Sequence, residues 1–130
     1  MADRIARHQA DRGPGWTTVE APLDLAGALR GAPVDEVVLV DCLTLWLTNH
    51  LLAGHDLEKE ADGLMAALSA CAAPVILVTN EVGWGIVPDN ALARQFRDEQ
   101  GRLNQRLAAR ADCVVAVMCG LPLALKGLLP

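Results

Sequence analysis

The chain has few aromatic residues and few lysines. Among its 130 residues there is no Tyr, one Phe and three Trp, so aromatics make up 3% of the composition. The core must therefore be built from aliphatic side chains, and the apolar fraction of 52% excludes a disordered chain. The only lysines are Lys59 and Lys126, and neither lies in a glycine-rich loop. A chain of this length and composition is expected to form a single domain, residues 1–130.

Other features that the sequence lacks limit where the protein is located and what it binds. No apolar run reaches the roughly 18 residues that a membrane span needs, and the N-terminus MADRIARHQADR lacks the apolar segment of a secretory signal. The four cysteines are scattered and form no C-x-x-C pair, which argues against a zinc site or a disulfide framework. The net charge of −5 argues against nucleic-acid binding. We therefore expect a cytoplasmic protein that binds neither nucleic acid nor membrane.

Short apolar runs alternate with helical patterns along the chain. Three runs are expected to be strands: 36–41, 75–79 and 113–118. Five segments are expected to be helices: 2–11, 23–30, 43–52, 57–72 and 90–111. The tail from residue 120 is expected to be irregular. This alternation predicts an α/β fold of parallel β-α-β units, and the uninterrupted apolar strands predict a sheet that is covered on both faces.

Polar residues follow two of the predicted strands, at the edge where open α/β sheets bind ligands. Asp41 comes after the run VVLV, which is the form of a Walker B strand whose Asp helps hold Mg²⁺ on a nucleotide phosphate. Asp41 equally fits a plain strand end or a helix N-cap. Thr79, Asn80 and Glu81 follow the run VILV. They fit an active-site edge, and the alternative is a solvated loop that caps the next helix.

The histidines are the remaining candidates. His8 lies among arginines in RIARHQADR. An imidazole nitrogen can attack phosphorus to form a phosphoramidate, while arginines hold the phosphate oxygens. The alternative is a surface histidine without a role. His50 and His55 have no cluster partners in the sequence and are interpreted as having no function. The last helix carries a stripe of arginines, Arg102, Arg106 and Arg110, that could reach an anion. We interpret the stripe as structural, since Asp98 can form an ion pair with Arg102.

Five motifs carry a resemblance to a known family: RIARHQADRGPGW, VVLVDCLTLWLTN, VILVTNEVGWGIVPDN, ARQFRDEQGRLNQRLAARAD and GLPLALKG. In this order they resemble the bifunctional adenosylcobinamide kinase / adenosylcobinamide-phosphate guanylyltransferase of cobalamin biosynthesis, over essentially the whole chain. The resemblance implies a three-layer P-loop NTPase (RecA-like) fold, with a parallel sheet and helices on both faces, that assembles as a homo-oligomer. It implies phosphorylation of adenosylcobinamide by a nucleoside triphosphate, ATP or GTP. It then implies GMP transfer from GTP to adenosylcobinamide phosphate, giving adenosylcobinamide-GDP.

The same resemblance assigns roles by position. His8 is similar to the histidine that becomes guanylylated, and Asp41 matches the Walker B acid that would hold Mg²⁺. The resemblance assigns further residues to nucleotide binding together with Asp41: Gln9, Ala10, Asp11, Arg12 and Glu20. It assigns the end of the second strand to the active-site edge: Thr79, Asn80 and Glu81.

The sequence departs from the family pattern in one respect. It contains no G-x-x-x-x-G-K-[ST] phosphate loop, so we expect an N-terminally truncated version of the fold with little or no kinase turnover. We favour the explanation that Met1 is internal to a longer reading frame. The alternative is a true truncation that leaves a catalytically incompetent oligomerising or nucleotide-binding module. A generic α/β hydrolase is disfavoured, because there is no G-x-S-x-G elbow and the only serine is Ser69.

Overall fold

The computed structural model describes residues 1–130 and contains five helices and four strands. In chain order these are α1 (Ala2–Arg12), α2 (Leu25–Arg30), β1 (Val38–Asp41), α3 (Leu43–Leu52), α4 (Leu57–Ala70), β2 (Val75–Val78), α5 (Ala91–Arg110), β3 (Val114–Met118) and β4 (Leu121–Lys126). The predicted helices are confirmed with small shifts at their ends. No helix combines the length and the apolar character that crossing a membrane demands.

Side-chain caps mark where three of the helices begin. Asp24, Asp56 and Asn90 each accept a hydrogen bond from the backbone amide three residues further on, at 2.9, 3.2 and 2.7 Å. These bonds satisfy amides that the first helical turn leaves unpaired, and each contributes about 1 kcal/mol. Helix α3 differs, because Cys42 occupies its N-cap position and makes no side-chain hydrogen bond. The alternative that Asp41 is a helix N-cap is therefore wrong.

Strands β1 and β2 form a parallel pair, as the apolar runs predicted. Val38 lies opposite Val75 and Asp41 lies opposite Val78. Helices α3 and α4 form the connection between the two strands, which is the long crossover that parallel pairing requires. This register places the ends of both strands at one edge of the sheet.

Only one face of this sheet is covered by helices. Val38, Val40, Val75 and Leu77 face inward and belong to the core or pack against it. On the opposite face, Leu39, Asp41, Ile76 and Val78 are exposed. The prediction that both faces are covered is not met, because the core cluster draws its helical members from α2, α3, α4 and α5 on the inner side alone.

The third predicted strand does not join the parallel sheet. Strand β3 pairs antiparallel with β4, with Met118 opposite Leu121. The turn residues Cys119 and Gly120 have φ values of 53° and 73°, and two consecutive positive φ angles are what a type I′ hairpin turn requires. This turn folds the tail back so that it satisfies the hydrogen-bonding groups of β3. The expectations of a third parallel strand and of an irregular tail are both wrong.

The hairpin is anchored to the end of α5. Lys126 Nζ donates to the carbonyl oxygens of Ala108 and Ala109, each at 3.0 Å. These carbonyls belong to the last turn of α5, which has no helical partners for them and carries the negative end of the helix dipole. One of the two lysines of the chain therefore has a structural role.

The core is aliphatic, as the composition requires. Its largest fully buried side chains are four leucines and one glutamine: Leu29, Leu43, Leu47, Leu64 and Gln100. The helical spacing of Leu92, Phe96, Leu103 and Leu107 in the sequence predicts one apolar face on α5. In the structure Leu103 and Leu107 are buried and Phe96 is half-buried, whereas Leu92 is exposed. The apolar face of α5 that packs on the core therefore begins one turn later than predicted.

The core predicts different costs for two substitutions in α3. Leu47 is 1% exposed and Leu45 is 58% exposed. Replacement Leu47→Ala should lower the free energy of unfolding by about 2–5 kcal/mol, since it removes buried methyl groups and leaves a cavity. Replacement Leu45→Ala should change it by about 0.5 kcal/mol or less. Urea denaturation of the two variants measures this, and equal losses would contradict the packing described here.

Candidate active site

The parallel register brings two sequence-predicted regions together at one sheet edge. Asp41 ends β1 opposite Val78, and Thr79, Asn80 and Glu81 continue directly from β2. All four polar residues are exposed. The carboxyl ends of parallel strands are where α/β sheets bind ligands, so the position of this edge agrees with a binding site.

A hydrogen-bond network fixes the end of β2 against α5. Thr79 Oγ1 donates to Asn104 Oδ1 at 2.8 Å, and Gln100 Nε2 donates to both Thr79 Oγ1 and Asn104 Oδ1, at 3.0 and 2.9 Å. Asn104 Nδ2 in turn donates to the backbone carbonyl of Asn80 at 3.1 Å and to Glu81 Oε1 at 3.4 Å. Asn104 thus contacts all three residues of the edge.

A second attachment joins the same edge to α3. Thr44, in the first turn of α3, accepts hydrogen bonds at Oγ1 from the backbone amide of Asn80 at 3.2 Å and from Asn80 Nδ2 at 3.0 Å. Asn80 is therefore held from α3 through its amides and from α5 through its carbonyl. This double attachment orders the edge even though it is exposed to solvent.

The polar side chains of this edge lie on both faces of the sheet. Thr79 continues the inner face of β2 and contacts α5, whereas Asp41 lies on the outer face beside Val78. Asp41 makes no hydrogen bond or ion pair with another side chain. Its carboxylate oxygens are therefore open to a cation or a ligand at the uncovered face of the sheet.

A polar cavity of about 350 Å³ opens beside Glu81, between the loop after β2 and α5. Arg97 Nη2 donates to the backbone carbonyl of Gly83 at 2.6 Å and so ties the loop to the helix. Glu81, Arg97, Asp98 and Arg102 line the cavity and bring two acids and two bases to it. Such a mixed lining suits a polar ligand better than an apolar one.

Helix α1, which carries His8, stands apart from this edge. All of its residues are exposed, and no hydrogen bond or ion pair joins it to residues beyond its C-cap Gly13. Arg4 and Arg12 lie four residues before and after His8, so helical geometry places all three on one face. The Arg12 guanidinium lies 5.9 Å from the centre of the Trp16 ring. The structure therefore does not bring His8 and Asp41 together.

The other nucleotide-binding residues of the sequence prediction share the position of α1. Gln9, Ala10, Asp11 and Arg12 are exposed on α1, and Glu20 is exposed in the segment that follows it. None of them contacts the edge formed by Asp41 and residues 79–81. Their assignment remains a prediction based on the motif.

Comparison with known proteins identifies the family of this chain. Residues 1–125 match the family described as CobU, cobinamide kinase / cobinamide phosphate guanyltransferase. The chain belongs to this family. It is 45% identical to the bifunctional adenosylcobalamin biosynthesis protein CobP of Pseudomonas aeruginosa, over 98% of this chain and 75% of that protein. It is 43% identical to CobU of Salmonella typhimurium and 41% identical to CobU of Escherichia coli, in each case over 97% of this chain and 78% of the relative.

Membership of the CobU family confirms the resemblance predicted from the five motifs. Cobinamide and nucleotides are substrates that fit a family of this description. The α/β fold with a small parallel sheet is consistent with a CobU fold. The site residues carried over by position are not tested by these matches.

Three polar residues of the site were missed from the sequence: Thr44, Gln100 and Asn104. Gln100 directly precedes the segment GRLNQRLA, and Asn104 is the fourth residue of that segment. The two residues are four positions apart, so they share one face of α5. A pair of amide side chains on a helix, next to the core leucines Leu103 and Leu107, was the sequence pattern that could have identified them. Gln100 is 0% exposed, and a fully buried amide needs nearby polar partners.

Two interpretations of charged residues need correction. Arg102 pairs with Glu99 at 2.6 Å and not with Asp98, and Arg106 pairs with Asp62 of α4 at 2.6 Å. Arg102 and Arg106 therefore do form ion pairs within the chain, as the structural interpretation expects, but with partners other than Asp98. His50 and His55, interpreted as having no cluster partners, lie 2.8 Å apart at their Nδ1 atoms, so that interpretation is wrong.

The network predicts a specific effect for Asn104. Replacement Asn104→Ala removes the contacts of its side chain with Thr79, Asn80 and Glu81, and it should lower the free energy of unfolding by about 1–3 kcal/mol. Amide hydrogen exchange of residues 79–83 should become faster. The neighbouring Gln105 is exposed and makes no hydrogen bond through its side chain, so Gln105→Ala is the control. Equal stability and equal exchange in the two variants would contradict the role given to Asn104.

Proposed function

We propose that this chain carries the guanylyl-transfer function of a bifunctional cobinamide kinase / guanylyltransferase, with His8 as the residue that accepts GMP. The observation that carries the proposal is the family match over residues 1–125, a range that includes the motif RIARHQADR around His8. The exposure of α1 supports it further, because a nucleophile that serves both a nucleotide and a bulky corrinoid must be open to both.

The reaction consists of two displacements at the same phosphorus atom. An imidazole nitrogen of His8 attacks the α-phosphorus of GTP, so that a P–N bond forms, the bond to the β-phosphate oxygen breaks and pyrophosphate leaves. A phosphate oxygen of adenosylcobinamide phosphate then attacks the same phosphorus. The P–N bond breaks, adenosylcobinamide-GDP is formed and the imidazole is released unmodified.

Arginines beside His8 supply the charge that this step requires. The α-phosphoryl group carries negative charge that is redistributed as pyrophosphate leaves, and guanidinium groups bind phosphate oxygens through two parallel hydrogen bonds. Arg4 and Arg12 share the face of His8. Gln9, Ala10, Asp11 and Glu20 complete the nucleotide-binding segment in this proposal.

The sheet edge is the proposed phosphate-handling region of the kinase function. Asp41 has a free, exposed carboxylate at the end of a rigid strand, which fits a magnesium ligand that acts together with phosphate oxygens and water. Bound there, Mg²⁺ would neutralise phosphate charge. Thr79, Asn80 and Glu81 are held in place by Thr44 and Asn104 and would orient the substrate at this edge.

The proposal extends to assembly and to location. One face of the hairpin of β3 and β4 exposes the apolar side chains of Met118, Leu121 and Leu123, and we propose that a second copy of the chain covers this face in a homo-oligomer. All four cysteines are free thiols, in keeping with a proposed cytoplasmic location.

The alternative of a module that only oligomerises or binds nucleotide is not favoured by relatives named as biosynthetic proteins.

The role of His8 predicts a covalent label. Incubation of the chain with GTP labelled at the α-phosphate should yield an acid-labile adduct, because phosphoramidates hydrolyse in acid, and His8→Ala should abolish it. The variant Asp3→Asn changes an exposed residue of the same helix and is the control, with label at the parental level. Absence of label on the parent, or undiminished label on His8→Ala, would contradict the proposal.

A second prediction concerns the kinase function. Because the sequence has no glycine-rich loop with a lysine to hold the β- and γ-phosphates, the 130-residue chain alone should phosphorylate adenosylcobinamide slowly or not at all. The measurement is transfer of the γ-phosphate of ATP to adenosylcobinamide, with the Escherichia coli relative assayed alongside it. Turnover by this chain at the rate of the relative would show that the sheet edge handles phosphates without such a loop.

A further inference from the structure

A second cluster of metal-binding side chains lies away from the sheet edge, where α3 leads into α4. It consists of His50 in the last turn of α3, His55 in the connecting loop and Glu60 in the first turns of α4. One ligand atom from each residue can be chosen so that all three lie within 4.8 Å of one another. The Nδ1 atoms of His50 and His55 are only 2.8 Å apart.

The surroundings of His50 fix its tautomer. Its Nε2 lies 3.1 Å from the backbone carbonyl oxygen of Leu23, which also accepts a hydrogen bond from Trp46 Nε1 at 3.0 Å. A carbonyl oxygen can only accept, so Nε2 of His50 carries a hydrogen and Nδ1 of the neutral ring presents its lone pair to His55. His55 Nδ1 then donates the hydrogen that lies between the two rings.

This arrangement is the one that metal-binding histidines require. A histidine ligand commonly donates its second ring N–H to a backbone carbonyl or carboxylate, which orients the ring and leaves the other nitrogen free for the metal. His50 is 2% exposed and packs edge-on against Trp46, with ring centres 4.7 Å apart. The ring is therefore locked in position before any ligand binds.

The remaining two residues supply access and charge. His55 is exposed and Glu60 is half-buried, so the cluster opens to solvent on one side. Glu60 makes no side-chain hydrogen bond, and its Oε2 lies 3.8 Å from His50 Nε2. The segment 55–62 carries four acids and a single base. His50 also lies at the C-terminal, negative end of α3, and both features favour a cation.

We propose that His50, His55 and Glu60 form a binding site for a divalent transition-metal ion such as Zn²⁺. Two imidazole nitrogens and one carboxylate, with water as the fourth ligand, make up a known open zinc coordination set. Tetrahedral zinc with bonds of about 2.0–2.1 Å separates its ligand atoms by about 3.3 Å. The two Nδ1 atoms must therefore move apart by about 0.5 Å. The Glu60 carboxylate, whose Oε2 now lies 3.8 Å from Nε2 of His50, must rotate towards the Nδ1 side of that ring.

Metal binding here requires neither imidazole ring to lose a proton. The ion takes the position of the hydrogen between His50 and His55, and the neutral His55 ring carries its hydrogen on Nε2 instead. The bound ion would link the end of α3, the connecting loop and the start of α4. The four scattered cysteines argued against a zinc site; the site proposed here uses no cysteine and comes from residues that only the fold brings together.

The test is metal binding by the 130-residue chain, measured without reference to guanylyl transfer. Isothermal titration with Zn²⁺ should show one saturable site per chain, and Co²⁺ should give the visible absorption bands of a four-coordinate ion that Zn²⁺ then displaces. Loss of an outer-shell partner commonly weakens metal binding 10- to 100-fold, so His55→Gln and Glu60→Gln, which remove direct ligands, should each weaken it at least about 10-fold.

The neighbouring Glu58 provides the matched control. It is an exposed acid in the same turn of α4 and lies outside the cluster, so Glu58→Gln should bind Zn²⁺ as the parent does. Because His55 is exposed, its replacement should leave the fold intact, which circular dichroism checks. No saturable binding by the parent, or equal binding by parent, His55→Gln and Glu60→Gln, would overturn the proposal.

Discussion

The parallel pairing of β1 and β2 is the constraint on which the site depends. It sets Asp41 opposite Val78, so that residues 79–81 must emerge at the same edge. Backbone pairing alone would leave residues 79–81 mobile, because they are exposed and belong to no helix or strand. Asn104 and Thr44 hold this segment in place through hydrogen bonds from two different helices to Asn80. Asn104 reaches that segment from a helix whose Leu103 and Leu107 are buried in the core. Core packing thus positions polar groups that are themselves open to solvent.

The sequence was sufficient to predict the helices, the first two strands and the sheet edge, because each depends on local patterns. Periodicity and caps such as Asn90 determine the helices, and uninterrupted apolar runs determine the strands. The hairpin was missed because it depends on two consecutive residues with positive φ, one of them Cys119, which is not a typical turn residue. The pairs formed by Arg106 with Asp62 and by His50 with His55 were missed for another reason. They depend on how separate elements pack, and their spacing in the sequence carries no signal of it.

The structure divides the proposed chemistry between two places. The arginine-flanked His8 lies on an exposed helix that makes no hydrogen bond or ion pair with residues beyond Gly13. The carboxylate and amides suited to handling phosphates lie at the sheet edge. In the guanylyl transfer proposed for His8, one nucleophile serves two bulky substrates in turn. Separation of the nucleophile from the ordered edge agrees with that requirement. On the uncovered face of the sheet, Asp41 lies among exposed apolar neighbours.

Peptide mapping of the GTP-treated chain by mass spectrometry at neutral pH is the direct test of whether His8 receives GMP. We expect a single GMP adduct, on the peptide from α1, with fragment ions that place it on His8. The adduct should disappear when adenosylcobinamide phosphate is added, since the second displacement releases the histidine. An adduct on any other residue, or a chain that remains unmodified, would show that His8 is not the residue that receives GMP.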